Sequence, residues 1–144
     1  MVKKAEAADA DTIASLAVLM WNTSTVQELA REFLEIMERG KGQFFLKYDQ
    51  GNPVGFAQCT LRYDYVEGTE TSPVGYLEGV FVQEAYRRKG YARELLSECE
   101  KWAKGKGCRE FASDCEAVND DSFRFHMAAG FEEANRIICF TKKL

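Results

Sequence analysis

The chain has 144 residues, 46% hydrophobic and 29% charged. That is enough to close one hydrophobic core but hardly two, and too apolar for a disordered segment. No run approaches the roughly 18 apolar residues that cross a bilayer, and a formal net charge of −4 argues against nucleic acid and suits a cationic small molecule.

Residues 2–6 read as a first strand. Asp9 is placed to cap a helix over residues 10–21, in which Ile13, Leu16, Ala17 and Met20 recur at helical spacing before Trp21 ends it. Ser24 or Thr25 caps a second helix, with Val26, Leu29, Phe33, Ile36 and Met37 on its apolar stripe and Gly40 at its end. Gln43 to Tyr48 reads as a strand, and the turn cluster Asp49-Gln50-Gly51-Asn52-Pro53 returns it as a hairpin through Val54 to Tyr63. A polar loop over 64–73 leads to the apolar run Val74-Gly75-Tyr76-Leu77-Glu78-Gly79-Val80-Phe81-Val82. A basic turn, Tyr86-Arg87-Arg88-Lys89-Gly90-Tyr91-Ala92, then opens a helix carrying Leu95, Leu96, Cys99, Trp102 and Ala103 on one face. Gly105 and Gly107 stop that helix. Arg109 to Cys115 reads as a strand, residues 119–121 cap a helix over 120–129 that ends at Gly130, and Phe131 to Thr141 reads as the last strand or strands. The order β α α β β β α β α β predicts an α/β (α+β) fold in one domain over residues 1–144. The strand–helix–strand step around the central helix implies a parallel pair with a right-handed crossover.

The basic turn has the makings of an anion site. Amide N–H groups at a helix N-terminus have no intrahelical partner, and the helix dipole adds to their pull on a phosphate. Gly90 and Ala92 let a ligand approach the backbone, and Arg87, Arg88 and Lys89 surround it with positive charge. The plain alternative is a basic strand-to-helix loop without a ligand. No Walker A pattern G-x-x-x-x-G-K-[ST] occurs. Five cysteines without a C-x-x-C pair and a lone histidine, His126, speak against a disulfide framework or a zinc centre. No metal is expected, and a reducing, cytoplasmic setting is. The N-terminal stretch, with Glu6 and no apolar core, does not read as a secretory signal.

The string Arg87-Arg88-Lys89-Gly90-Tyr91-Ala92 resembles the R/Q-x-x-G-x-G/A signature of the Gcn5-related N-acetyltransferases (GNAT). The predicted order of elements matches that fold along essentially the whole chain. The resemblance implies a central mixed, mostly antiparallel sheet with a splayed parallel strand pair and flanking helices. Acetyl-CoA would enter the splay as cosubstrate, its pyrophosphate held by Arg87, Arg88, Lys89, Gly90, Tyr91 and Ala92. Its pantetheine arm would run along Val80, Phe81 and Val82, with Asn119 as a further contact unless it simply caps its helix. Two longer strings narrow the match: residues 62–68 followed by Ser72-Pro73-Val74 and residues 77–82, and Lys106-Gly107-Cys108-Arg109-Glu110 followed by Ala112-Ser113-Asp114. With Gly130-Phe131-Glu132-Glu133 they resemble the aminoglycoside 6′-N-acetyltransferases, which implies an aminoglycoside substrate, an antibiotic-resistance role and a homodimer.

Individual residues then take expected roles. Glu78 is a carboxylate in an apolar strand, costly unless it is paired or faces a cleft. It is either half of a structural ion pair or the group that holds the substrate amine. A protonated amine has no free lone pair, and an aliphatic ammonium deprotonates only near pH ~10 in water, so a carboxylate or a carboxylate-bound water must take the proton. The N–H of Val80 would stabilise the oxyanion as the amine adds. Asp114 would bind a second positive amine, or cap the following loop. Trp21 and Tyr65 would flank the aminosugar, where aromatic faces favour cations, or pack at the core edge. The family often places a tyrosine four residues before the last G-F pair as an acid for the leaving thiolate; here that position is His126, which stays outside the expected catalytic set. The alternatives are an N-acetyltransferase for another small polyamine or a protein amine, and a non-catalytic acetyl-CoA sensor.

Overall fold

Phe44, Phe45 and Leu46 stand consecutively in one strand and all three are buried, which requires cover on both faces of the sheet. The computed structural model, describing residues 1–144, shows how that cover arises. Five strands lie in the order β1 (Val2–Lys4), β2 (Gly42–Asp49), β3 (Asn52–Arg62), β4 (Val74–Val82) and β5 (Phe111–Ser113). The first four pair antiparallel, and β4 with β5 is the single parallel pair. The mixed sheet and splayed pair expected above are therefore present.

Helices α1 (Ala10–Ala17) and α2 (Val26–Glu38) cover one face. Ile13, Leu29 and Phe33 pack there on Phe44, Leu46 and Phe56, with the Phe33 and Phe44 ring centroids 4.6 Å apart. Helix α3 (Tyr91–Gly105) covers the other face, setting Leu95, Leu96 and Cys99 against Phe45, Ala57, Cys59 and Leu77. Each fully buried side chain of this size contributes about 1.5–3 kcal/mol. Helix α4 (Asp120–Ala128) follows β5. No helix is long and apolar enough to cross a membrane.

Several boundaries differ from expectation for physical reasons. The Asp9 carboxylate does not cap α1; it accepts the Glu6 amide at 2.8 Å and the Lys3 ammonium at 3.0 Å, closing a short 3-10 turn instead. Helix α1 ends at Ala17, four residues early, in a turn where Trp21 N–H donates to the Ala17 carbonyl. Thr25 does cap α2, accepting the Glu28 amide at 3.1 Å. Strand β5 is three residues long rather than seven. The expected last strand over 131–141 is absent: those residues have no regular structure, and Ile137, Ile138 and Phe140 are 70%, 80% and 87% exposed. An apolar run such as Ile137-Ile138-Cys139-Phe140 gives a segment the capacity for a strand, but a strand also needs a partner edge to take its N–H and C=O groups.

Candidate active site

The parallel pair is joined only at Gly75↔Phe111, Tyr76↔Ala112 and Leu77↔Ser113. From Glu78 to Val82, β4 has no neighbour on that side, and a wedge opens. On its other side β4 slips register against β3, since Leu77 pairs with Cys59 but Gly79 with Gln58. Glu78 is the extra residue of this bulge. Bulges re-aim side chains, and they recur beside active sites. Here Tyr76 and Glu78 share the face of Thr60 and Arg62, while Val80 turns to the α3 face. Phe81 packs on Phe56 with centroids 6.4 Å apart and is half-buried.

At the far end of the wedge, a cavity of about 230 Å³ is lined by Val82, Arg87, Arg88, Gly90, Tyr91, Ala92 and Phe125 among others. Gly90 is the N-cap of α3 at φ 81°, and Arg88 has φ 65°. A non-glycine residue in the left-handed region is uncommon and marks a turn held by its surroundings. The first helical hydrogen bond runs from Glu94 N–H to the Gly90 carbonyl at 3.1 Å, so the amides of residues 91–93 precede the helical ladder and suit an anion. The basic residues divide their work. Arg87 Nε donates to the Val82 carbonyl at 2.7 Å, tying the turn to the end of β4. Arg88 is free of any ion pair in the structure. Lys89 Nζ lies 3.8 Å from the Asp49 carboxylate. Tyr91 is a strut: its hydroxyl donates to Asp49 at 2.6 Å, and the Lys47 ammonium stands 4.3 Å from its ring centroid. The bond to Asp49, aided by burial, raises the Tyr91 phenol above its usual pKa.

The other end of the wedge meets a cavity of about 1020 Å³, whose walls include Arg62, Tyr65, Tyr76, Asp114 and His126. The carboxylate of Glu78 accepts the Thr60 hydroxyl at 2.9 Å and Arg62 Nη2 at 2.8 and 3.0 Å. The Arg62 guanidinium carbon lies 3.5 Å from the centroid of the Tyr76 ring. The Tyr76 hydroxyl donates to Asp114. Burial first, and that bond second, push the Tyr76 phenol well above its ordinary pKa, so it stays a donor. The structure thus links Glu78 and Asp114 through Arg62 and Tyr76. Trp21 lies on the same face, its ring so close over Gly79 that a Cβ there would sit 2.7 Å from it; it adjoins Glu78 but does not line the larger cavity. Tyr65 is exposed in the loop before β4.

Asn119, expected to contact the cofactor or cap its helix, and His126, outside the expected set, both have local partners. Asn119 Oδ1 accepts the Ser122 amide at 3.1 Å as the cap of α4, and it lines neither cavity. His126 Nδ1 is 2.7 Å from the Ser122 carbonyl, which can only accept, so Nδ1 carries a hydrogen. Its Nε2 lies 2.8 Å from the Ser113 hydroxyl. Thr60, Arg62, Tyr76 and Glu110 were not expected in the site. The one signal for the first two was that they sit two residues apart in a strand, on one face. No group of three or more His, Cys, Asp or Glu side chains could hold a metal ion.

The sequence profile described as the acetyltransferase (GNAT) family matches residues 6–131. An aminoglycoside N(6′)-acetyltransferase type 1 of Serratia marcescens is 38% identical over 135 residues, covering 93% of this chain and 92% of that one. Its counterpart in Stenotrophomonas maltophilia is 38% identical over 144 residues, covering 99% and 93%. Among solved structures, AAC(6′)-Iy in complex with the bisubstrate analog CoA-S-monomethyl-acetylneamine has a TM-score of 0.95 at 32% identity, covering 100% of this chain and 98% of that one. The aminoglycoside antibiotic 6′-N-acetyltransferase AAC(6′)-Ih of Acinetobacter baumannii has a TM-score of 0.91 at 34% identity, covering 100% and 98%. With the profile spanning most of its length and relatives this similar end to end, the chain belongs to the acetyltransferase (GNAT) family and, within it, to the type 1 aminoglycoside N(6′)-acetyltransferases.

Proposed function

We propose that the protein transfers the acetyl group of acetyl-CoA to the 6′-amine of an aminoglycoside antibiotic, by direct attack with both substrates bound. The observation that carries this reading is the wedge itself. It has an amide-rich basic turn at one end and Asp114 in the wall of the larger cavity at the other, with Glu78 behind Arg62 where β4 parts from β5. Arg88, Lys89 and the amides of residues 91–93 bind the pyrophosphate, and Gly90 lets it approach. Arg87 and Tyr91 hold the turn in shape. The backbone of Val80, Phe81 and Val82 lies along the pantetheine arm, with the Val80 N–H toward the thioester carbonyl. Glu78 accepts the amine and its proton, Asp114 takes a second ammonium, and Trp21 and Tyr65 bound the aminosugar. No side chain is acylated. The cysteines lack a base: Cys99 is buried and held as a thiol by its neighbour Cys59 and by burial.

The product carries a neutral amide in place of one ammonium, and so loses a charge and a donor for RNA recognition; that is the basis for a resistance role. We read residues 1–144 as one acetyltransferase domain. A homodimer is supported by the exposed Ile137, Ile138 and Phe140 of the tail, and a cytoplasmic setting by five free cysteines.

The test is acetyl transfer to kanamycin and tobramycin, followed by release of free CoA thiol, with Glu78→Gln alongside. The variant is expected to lose about 10²-fold or more in kcat/KM. Unchanged turnover in Glu78→Gln would remove Glu78 from the mechanism. Binding of acetyl-CoA by the wild type without transfer to any amine would replace the enzyme reading with a sensor.

A further inference from the structure

Arg62 occupies an unusual place. It reaches from the last residue of β3 to Glu78 with one nitrogen 2.8 and 3.0 Å from the two carboxylate oxygens. Its guanidinium lies flat enough on Tyr76 to bring its carbon 3.5 Å from the ring centroid, and Tyr76 in turn donates to Asp114. Arg62 faces the large cavity, whereas Glu78 behind it does not line that cavity. Both Glu78 oxygens accept from Arg62, and one also accepts the Thr60 hydroxyl, so the carboxylate is paired although its side chain keeps 23% exposure. An incoming ammonium meets a carboxylate that already has a cation.

We propose that Arg62 is the internal counter-ion of the amine site, a guanidinium that stands in for the substrate ammonium at Glu78 and is displaced by it. The inference rests on the reading of Glu78 as the amine-holding group. Two features make exchange feasible. The Arg62 side chain is 43% exposed, so its charge has solvent to move into. Its partner ring Tyr76 offers a second resting place, since a guanidinium can stay stacked on an aromatic face after its carboxylate is taken. Burial works against the charged form of Arg62, but the Glu78 carboxylate outweighs it and holds the pKa above its usual value. The competitor is thus always a cation. In the empty site it keeps the carboxylate paired and blunts the negative field of Glu78 and Asp114. It thereby sets the affinity for polycations below what two free carboxylates would give.

The sign of the effect separates this role from structural support. Removing a support for Glu78 weakens substrate binding; removing a competitor strengthens it. Titration calorimetry of kanamycin against Arg62→Met is expected to show a Kd roughly threefold to tenfold lower than wild type at low salt, converging as salt rises. Methyl 6-amino-6-deoxyglucoside, with a single amine, gains less. Arg62→Lys keeps the charge but loses the planar stack on Tyr76, and is expected to bind kanamycin less tightly than Arg62→Met. Should Arg62→Met not fold, Arg62→Gln carries the same measurement. Weaker or unchanged kanamycin binding in the neutral variants overturns the proposal. Absence of kanamycin binding by the wild type instead overturns the underlying assignment of substrate.

Discussion

The Glu110 carboxylate, one residue before β5, accepts the amide of Thr71 at 2.8 Å, and with it the Thr71 hydroxyl and the Glu70 amide. One side chain thereby fastens the loop over 63–73, which carries Tyr65, to β5, after which Asp114 follows directly. The Thr71 hydroxyl first, then the Glu70 amide, hold the Glu110 carboxyl below its usual pKa. A depressed carboxylate lends stability that is complete above its unfolded pKa and is lost as pH falls through its folded value. The latch is therefore intact at neutral pH and opens in acid. Glu110→Gln is expected to raise the KM for kanamycin roughly threefold to tenfold, the loss of one charge-assisted anchor. The KM for acetyl-CoA, which we propose binds at the other end of the wedge, is expected to change by less than about twofold. Steady-state kinetics with each substrate varied in turn decides it; equal shifts in both constants contradict a loop-specific role.

Gly90→Ala tests the phosphate turn. The position has φ 81° and no heavy atom within 4 Å of an added Cβ, so the penalty is conformational rather than steric. Forcing an L-residue into that region costs about 1–2 kcal/mol. Relaxation of the turn would misdirect the amides that precede the α3 ladder. Acetyl-CoA binding is expected to weaken roughly five- to thirtyfold with little change for the aminoglycoside. Fluorescence or calorimetric titration with CoA reads this directly; unaltered CoA affinity would place the pyrophosphate elsewhere.

The tail offers a third test. Ile137, Ile138 and Phe140 are apolar and exposed, and exposed apolar clusters of this kind mark association surfaces. Ile138→Asp is expected to shift sedimentation toward the monomer at micromolar concentration while leaving the thermal midpoint of the dilute chain within a few degrees. A wild-type protein that sediments as a monomer at every concentration contradicts the homodimer.

The parts of the molecule legible in its letters are those built from neighbours in sequence. The nine residues of β4 have the bounds that their apolar run predicts. The α3 stripe and the glycine at its N-cap follow from helical period and from the conformation that Gly90 adopts. Thr25 and Asn119 cap their helices as their residue types favour. The parts that were not legible depend on partners far along the chain. The bulge at Glu78 is a property of pairing with β3, invisible in β4 alone. Arg62, Tyr76 and Glu110 act across 16 to 40 positions, where no spacing rule applies. Asp9 looked like a cap for α1, yet Lys3 and the Glu6 amide are nearer. The final segment has a strand-like apolar run, Ile137 to Phe140, but pairs with no other strand.

The chain holds only two tryptophans. Trp102 sits on α3 beside Lys106, whereas the indole of Trp21 rests on Gly79, next door to Glu78. With Trp102 replaced by phenylalanine, the protein would carry a single intrinsic emitter beside Glu78, the carboxylate proposed to hold the amine. Occupancy of the sugar pocket could then be followed in real time by light, with no label and no turnover.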